Sequence, residues 1–156
     1  MFSFFENILI PADDRKKRLN DTTGAILCRR KAAARTIKST FMQLNALIRG
    51  WVNYYRIGSM QTFLDKYGQW LRHKVRVVIL KQWKKPKRIY KNLQKLNRTV
   101  GCNFTDEEIY KVANSRLGWY RRCGLYVVNY ALNPEILGRK PKDRPGLVDP
   151  LAYYLS

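Results

Sequence analysis

Apolar side chains recur along much of this chain at three- and four-residue steps, the spacing that places them on one face of a helix. The first stripe predicts a helix from about Arg29 to Gly50, with the glycine as its C-cap. A second, longer stripe predicts a helix from about Met60 to Lys84, with Ser59 as N-cap. Residues 75–80 also permit a strand, but the helical period around them favours a helix.

Local signals predict two shorter helices further along the chain. Pro86 suits the first turn of a helix that runs to about Asn97. Thr105 precedes three acidic residues, a pattern typical of a capped helix start, and that helix is expected to end near Asn114. Residues 11–14 and 21–24 predict a break and a turn.

The pattern therefore predicts an all-α protein, a small helical bundle of about four to five helices with a loop-rich C-terminal segment. Residues 134–150 contain four prolines and two glycines, which favours loop there. We expect residues 1–28 to be an irregular N-terminal lead-in and residues 29–156 to form one helical domain. The final Tyr153-Tyr154-Leu155 is expected to pack back onto that domain.

Positive charge is concentrated in one region of the chain. Residues 29–98 contain nineteen Lys and Arg and one acid, Asp65, which gives +18 of the net +20. Both flanks are nearly balanced, with four basic and four acidic residues in 1–28 and eight and six in 99–156. A compact fold with this uncompensated charge repels itself, which favours a polyanionic partner. The same region contains four Tyr, three Trp and two Phe, a combination typical of RNA recognition.

Other function classes receive little support from the composition. The three cysteines are far apart and there is one histidine, so we expect no zinc site and no other metal or cofactor. The odd number and wide spacing of the cysteines favour the reducing cytoplasm. The apolar runs are too short to span a bilayer, and we expect no membrane partner. His73 is expected to be a surface or packing residue, and no catalytic arrangement of side chains is evident.

Residues 43–56 read Gln-Leu-Asn-Ala-Leu-Ile-Arg-Gly-Trp-Val-Asn-Tyr-Tyr-Arg. This run resembles the signature of the group II intron maturase-specific domain. The matching positions are Leu44, Asn45, Ile48, Arg49, Gly50, Trp51, Asn53, Tyr54 and Tyr55. Similar elements follow in the expected order at residues 63–67, 82–86, 118–121 and 146–154, so the resemblance covers about residues 29–156.

The resemblance implies a helical domain that grips group II intron RNA and promotes its folding and splicing. In that family the domain follows a reverse transcriptase and acts as its thumb. Residues 11–14, Pro-Ala-Asp-Asp, resemble the polymerase metal-binding motif only superficially, because proline replaces tyrosine and no palm domain can fit before them. We therefore expect no enzymatic activity from this chain, which resembles a C-terminal fragment, a split-gene product or a free-standing domain.

The candidate RNA-contacting residues are basic or aromatic side chains in the signature, the long basic stretch and the later Gly-Trp-Tyr-Arg element. They are Arg49, Trp51, Tyr54, Tyr55, Arg56, Arg72, Lys74, Arg76, Lys81, Lys84, Lys85, Lys87, Arg88, Arg116, Trp119, Arg121 and Arg122. For Trp51, core packing is favoured over stacking on a base. One of Tyr54 and Tyr55 should be buried and the other available to RNA, because neighbouring helix positions face different ways.

Three alternatives remain open from the sequence. The chain could be the thumb of a split reverse transcriptase that needs a polymerase domain on another chain. It could be a general basic nucleic-acid-binding module with no intron role. It could also be a decayed remnant without function, in which case cooperative unfolding would be lost.

Overall fold

The computed structural model describes residues 13–28, 35–142 and 144–156. The regular elements in these ranges are helices, which confirms the all-α prediction. They are α1 (Asp13–Ile26), α2 (Ile37–Tyr55), α3 (Gln61–Trp83), α4 (Pro86–Val100), α5 (Asp106–Ala113), α6 (Trp119–Cys123), α7 (Tyr126–Ala131), α8 (Pro134–Gly138) and α9 (Pro150–Leu155). Helices are more numerous than the four or five expected, because residues 13–26 and the segments after Asn114 are also helical.

The described residues form two compact units, with α3 contributing to both. The first unit holds the residues up to Leu71 and those from Lys140 onward. Within it, α2 contacts both α1 and α9. The buried face of α2 is the predicted stripe, continued for one turn: Phe41, Leu44, Ile48 and Val52.

Helix α2 does not end at Gly50, and the predicted C-cap there is wrong. It starts after Thr36, whose hydroxyl accepts a hydrogen bond from the amide of Ser39, and it continues to Tyr55. Gly50 lies within it, with open space around the position of a Cβ atom. Burial of Val52 one turn after Ile48 offsets the helix cost of an internal glycine, about 1 kcal/mol. The predicted start near Arg29 lies outside the described residues.

The turn predicted at residues 21–24 is also wrong, because these residues continue α1. Thr23 is fully buried, and its hydroxyl donates to the carbonyl of Leu19 at 2.7 Å. Since that uses its single proton, the Tyr67 hydroxyl is the donor in their 2.6 Å contact. Burial raises the pKa of Tyr67 to about 12, so this hydroxyl keeps its proton at neutral pH. The irregular lead-in is therefore helical from Asp13 to Ile26, while a domain boundary at residue 28 stays a prediction.

The C-terminal segment is fixed to α2 by the side chain of Asn45, which is 4% exposed. Its Nδ2 donates to the carbonyl of Gly146 at 2.8 Å, and its Oδ1 accepts from the amide of Val148 at 2.9 Å. Beyond this segment, the hydroxyl of Tyr154 donates to the carbonyl of Gly58 at 2.7 Å. The expected return of the C-terminal tyrosines onto the domain is confirmed.

The second unit contains residues 72–139. Helix α4 contacts α5 and α7, and α7 also contacts α5 and α6. Its core is built from Val75, Leu80, Ile89, Leu93, Ile109, Val112, Cys123, Val128 and Leu137. The predicted helix starts at Pro86 and Thr105 are confirmed, and Thr105 forms a capping box with Glu108. Residues 75–80 belong to α3, so the strand alternative is wrong.

The Asn45→Ala variant should lose about 2–4 kcal/mol of unfolding free energy, because it leaves a buried carbonyl and a part-buried amide unpaired. Urea unfolding followed by circular dichroism measures this loss. Asn53→Ala on the same helix is the control, because the Asn53 side chain is exposed and accepts one bond, from the Tyr153 hydroxyl at 3.0 Å. It should cost about 1 kcal/mol or less. Equal losses in the two variants would contradict the role assigned to Asn45.

Candidate nucleic-acid interface

Four exposed cations surround the start of α4: Lys84, Lys85, Lys87 and Arg88, which we call the corner patch. With Gln82 and Trp83 they line an open groove of about 330 Å³. Lys84 adopts a left-handed backbone conformation (φ 60°), which turns the chain between α3 and α4. Lys85 is the N-cap of α4 and makes no side-chain capping bond.

The electrostatics of the corner patch favour an anion. The N-terminal end of a helix carries a partial positive charge that attracts phosphate. In α4 the first residue, Pro86, has no amide proton and the Arg88 amide donates to the carbonyl of Lys85 at 3.0 Å, so the attraction is mainly one of charge. The first turn of α4 contains no acidic residue that could compensate this charge. The N-terminus of α4 and the side chains of the corner patch therefore create a positive potential at the same place.

Arg76, also a sequence candidate, lies in the core of the second unit and is 8% exposed. Its Nε donates to the carbonyl of Leu132 at 2.8 Å, just after the last turn of α7. Burial lowers the pKa of Arg76, and the charge of Arg72 lowers it further. This guanidinium holds the end of a helix, unlike the exposed cations of the corner patch. Arg72, Lys74 and Lys81 are half-buried.

The later Gly-Trp-Tyr-Arg element combines exposed and structural side chains. Arg116 and Arg121 are exposed. The Arg122 guanidinium lies 4.8 Å from the centre of the Trp119 ring and donates to the carbonyls of Ser115 and Leu117. Arg122 therefore holds the loop before α6.

His73 packs edge-on against Tyr120, with ring centres 4.1 Å apart, as expected of a packing residue. Burial is the main cause that lowers the pKa of His73, and the nearby cations Arg76 and Lys74 lower it further. A backbone hydrogen bond at Tyr120 acts in the opposite direction. The neutral imidazole is therefore favoured in the folded chain.

The signature aromatics divide as expected between packing and exposure. Tyr54 is 78% exposed, whereas Tyr55 and Trp51 are half-buried. The Trp51 ring centre lies 4.7 Å from that of Tyr55 and 5.4 Å from that of Phe63. Exposure makes Tyr54 the freer of the two tyrosines.

The two signature arginines differ in their surroundings. Arg49 is exposed on α2. Arg56 donates to the carbonyl of Tyr153 at 3.1 Å and lies 5.2 Å from the centre of that ring. Arg56 therefore fixes α9 to the end of α2, a role that its place in a basic stretch did not predict.

Sequence reasoning missed the cations of α1 as site residues. The Arg15 guanidinium lies 5.8 Å from the centre of the Tyr55 ring, and the Lys16 Nζ lies 5.3 Å from that of Phe63. The run of four basic residues at 15–18 was the available signal. Its place beside the signature aromatics follows only from tertiary packing of α1 on α2.

Two further findings concern metals and membranes. Within the described ranges, no three His, Cys, Asp or Glu side chains come together as a metal site. In the same part of the chain, no helix combines the length and apolarity needed to cross a membrane.

A comparison with protein families finds a match, over residues 16–97, to the group II intron, maturase-specific domain. The matched range begins within α1 and ends within α4. It therefore includes the signature, the corner patch and the residues of α1 from Lys16 onward. A search of curated proteins finds no match.

Arg76→Met should lower the unfolding free energy by about 1–3 kcal/mol, because the carbonyl of Leu132 loses its buried donor. The variant should leave the salt dependence of RNA binding unchanged, since a buried guanidinium releases no counterion from a phosphate. Urea unfolding and binding titrations at several salt concentrations measure the two effects. A salt slope reduced by about one would show that Arg76 contacts a phosphate.

Stability should fall as the pH is lowered through the region below about 6.5, the ordinary pKa of histidine, because the unfolded chain then binds a proton that folded His73 resists. His73→Gln should show a smaller loss of unfolding free energy between pH 7 and pH 5. Urea midpoints at each pH measure this. Identical pH dependence in the two proteins would exclude His73 as its source.

Proposed function

This chain belongs to the group II intron maturase-specific domain family, and from that premise we propose that it binds group II intron RNA and assists its folding and splicing. The family connects the chain with group II intron splicing. The observation that carries the finer proposal is the corner patch, where exposed cations and a helix N-terminus coincide.

The proposed mechanism is electrostatic. A folded intron brings its phosphates close together, and their repulsion opposes compaction of the RNA. Lysine and arginine side chains neutralise these phosphates and release condensed counterions, which favours binding. With +18 in residues 29–98, the chain has the charge for several such contacts.

The chain acts in this proposal without catalytic activity of its own, and the splicing reaction belongs to the RNA. The family is the non-polymerase part of intron maturases. Stabilising one folded RNA arrangement is sufficient to raise the fraction of RNA that can react.

The test compares a group II intron RNA with a structured RNA of the same length and no intron origin, each titrated across a salt series. Much tighter binding to the intron at equal salt supports the proposal. Equal affinities with equal salt slopes would overturn the intron role and leave a general basic nucleic-acid-binding module. Complementary DNA synthesis only after mixing with a separate polymerase chain would favour the split reverse transcriptase.

Replacing three corner-patch residues by glutamine (Lys85→Gln, Lys87→Gln and Arg88→Gln together) should reduce the salt slope of intron binding by about 2–3, because each phosphate contact contributes about 0.7–0.9. Lys84 is left unchanged because its left-handed backbone conformation (φ 60°) forms the turn between α3 and α4.

Lys111→Gln is the matched control, since Lys111 is exposed but already pairs with Glu107 at 3.2 Å. It should leave the slope unchanged. A slope that stays the same in the triple variant would remove the corner patch from the interface.

A further inference from the structure

A groove of about 180 Å³ lies between α1 and α2 in the first unit. Its lining residues come from both helices: Arg15, Arg18, Leu19, Thr22, Leu47, Trp51 and Tyr55. The α1 residues follow steps of three, one and three, and the α2 residues follow steps of four, so each set lies on one helical face. The groove therefore lies between two helix faces. The face of α1 carries cations, and the face of α2 carries aromatic rings.

The walls of the groove are chemically suited to a nucleobase. Trp51 and Tyr55 are half-buried, and both line the groove. Arg15 lies 5.8 Å from the centre of the Tyr55 ring, within the range of a cation–π contact. Aromatic rings and guanidinium planes are the two surfaces on which unpaired RNA bases stack.

The size of the groove limits its occupant. Pockets for drug-sized ligands have volumes of about 300–1,000 Å³, which is larger than this groove. A single planar ring system is a better match than an entire cofactor. Arg18 is exposed and lines the groove, so a positive charge is available there for a phosphate.

The charge of α1 separates this groove from a general phosphate-binding surface. The helix contains four basic residues, at 15–18, and three acids, Asp13, Asp14 and Asp21, so its net charge is +1 (four minus three). A helix with so little net charge attracts a polyanion weakly. Stacking must therefore supply the larger share of any affinity in the groove.

We propose that this groove binds one unstacked base of the RNA, with Trp51 and Tyr55 as the stacking surface and Arg15 and Arg18 on its flanking phosphates. The proposal deepens the proposed function and rests on it for the identity of the polymer as RNA. It assigns to α1 a direct role in recognition.

The test uses two octamers of equal length and charge, oligoadenylate and an abasic ribose-phosphate oligomer. The full chain should bind oligoadenylate about tenfold more tightly, because stacking of one base on aromatic side chains contributes an effect of that order. The preference should persist at high salt, since both oligomers carry the same phosphates. Fluorescence anisotropy of end-labelled oligomers measures both affinities.

Tyr55→Leu should abolish most of this preference, whereas Tyr110→Leu should retain it. Tyr110 is the control because it is 60% exposed on α5 and does not line the groove. Thr22→Leu provides a second variant that fills the groove from an exposed position and should also reduce the preference, should Tyr55→Leu fail to unfold cooperatively. Arg18→Gln should weaken both oligomers equally, with Lys17→Gln on the same helix as its control.

The outcomes distinguish a failure of the groove proposal from a failure of the proposed function. Equal binding of the two octamers, or a preference that Tyr55→Leu leaves intact, overturns the groove proposal while intron-specific binding can still hold. A base preference that depends on Tyr55, without discrimination between intron and control RNA, supports the groove and overturns the intron role.

Discussion

The first unit depends on one buried amide, that of Asn45, which joins two backbone groups more than a hundred residues away in sequence. The segment it holds, residues 146–148, has no regular structure and would otherwise leave a carbonyl and an amide without partners away from water. Both ends of the amide are used, one as donor and one as acceptor. Neither a carboxylate nor an aliphatic side chain of similar size can do the same.

The same helix explains why the signature is so dense in polar and aromatic residues. Asn53 on α2 and Arg56, which directly follows this helix, both contact α9. Much of the signature thus joins distant parts of the chain. Residues that a charge-based interpretation assigns to RNA, such as Arg56, have a structural partner here.

The sequence predicted the elements whose ends are set locally. Pro86 and the Thr105 capping box fix helix starts through their own backbone and side chains, and both predictions are confirmed. The predictions at Gly50 and at residues 21–24 are wrong because the local preference of these residues for turns is weaker than the stabilisation that the helices gain from side-chain burial. The Thr23–Tyr67 contact joins positions 44 residues apart, which no local pattern contains.

The charged residues of the candidate site were also predictable only where local sequence decides their position. The exposed cations at the start of α4 were predictable, because a proline marks the helix start and no acid interrupts the run. Arg76 was not separable from Lys74 by charge, since which of two nearby helix positions faces the core depends on what packs there. The groove between α1 and α2 was not predictable from the sequence, because its cations and its aromatic rings lie on different helices.

Electrostatic and stacking contacts answer different problems in binding a folded RNA. A cation recognises the phosphate that every nucleotide carries, so its affinity is large but falls with salt and distinguishes sequences poorly. An aromatic surface accepts only a base that has left its stack, so it reports on the fold of the RNA. A chain with concentrated cations on α4 and half-exposed rings on α2 has the means for both, and only the second can favour one RNA fold over another of equal charge density.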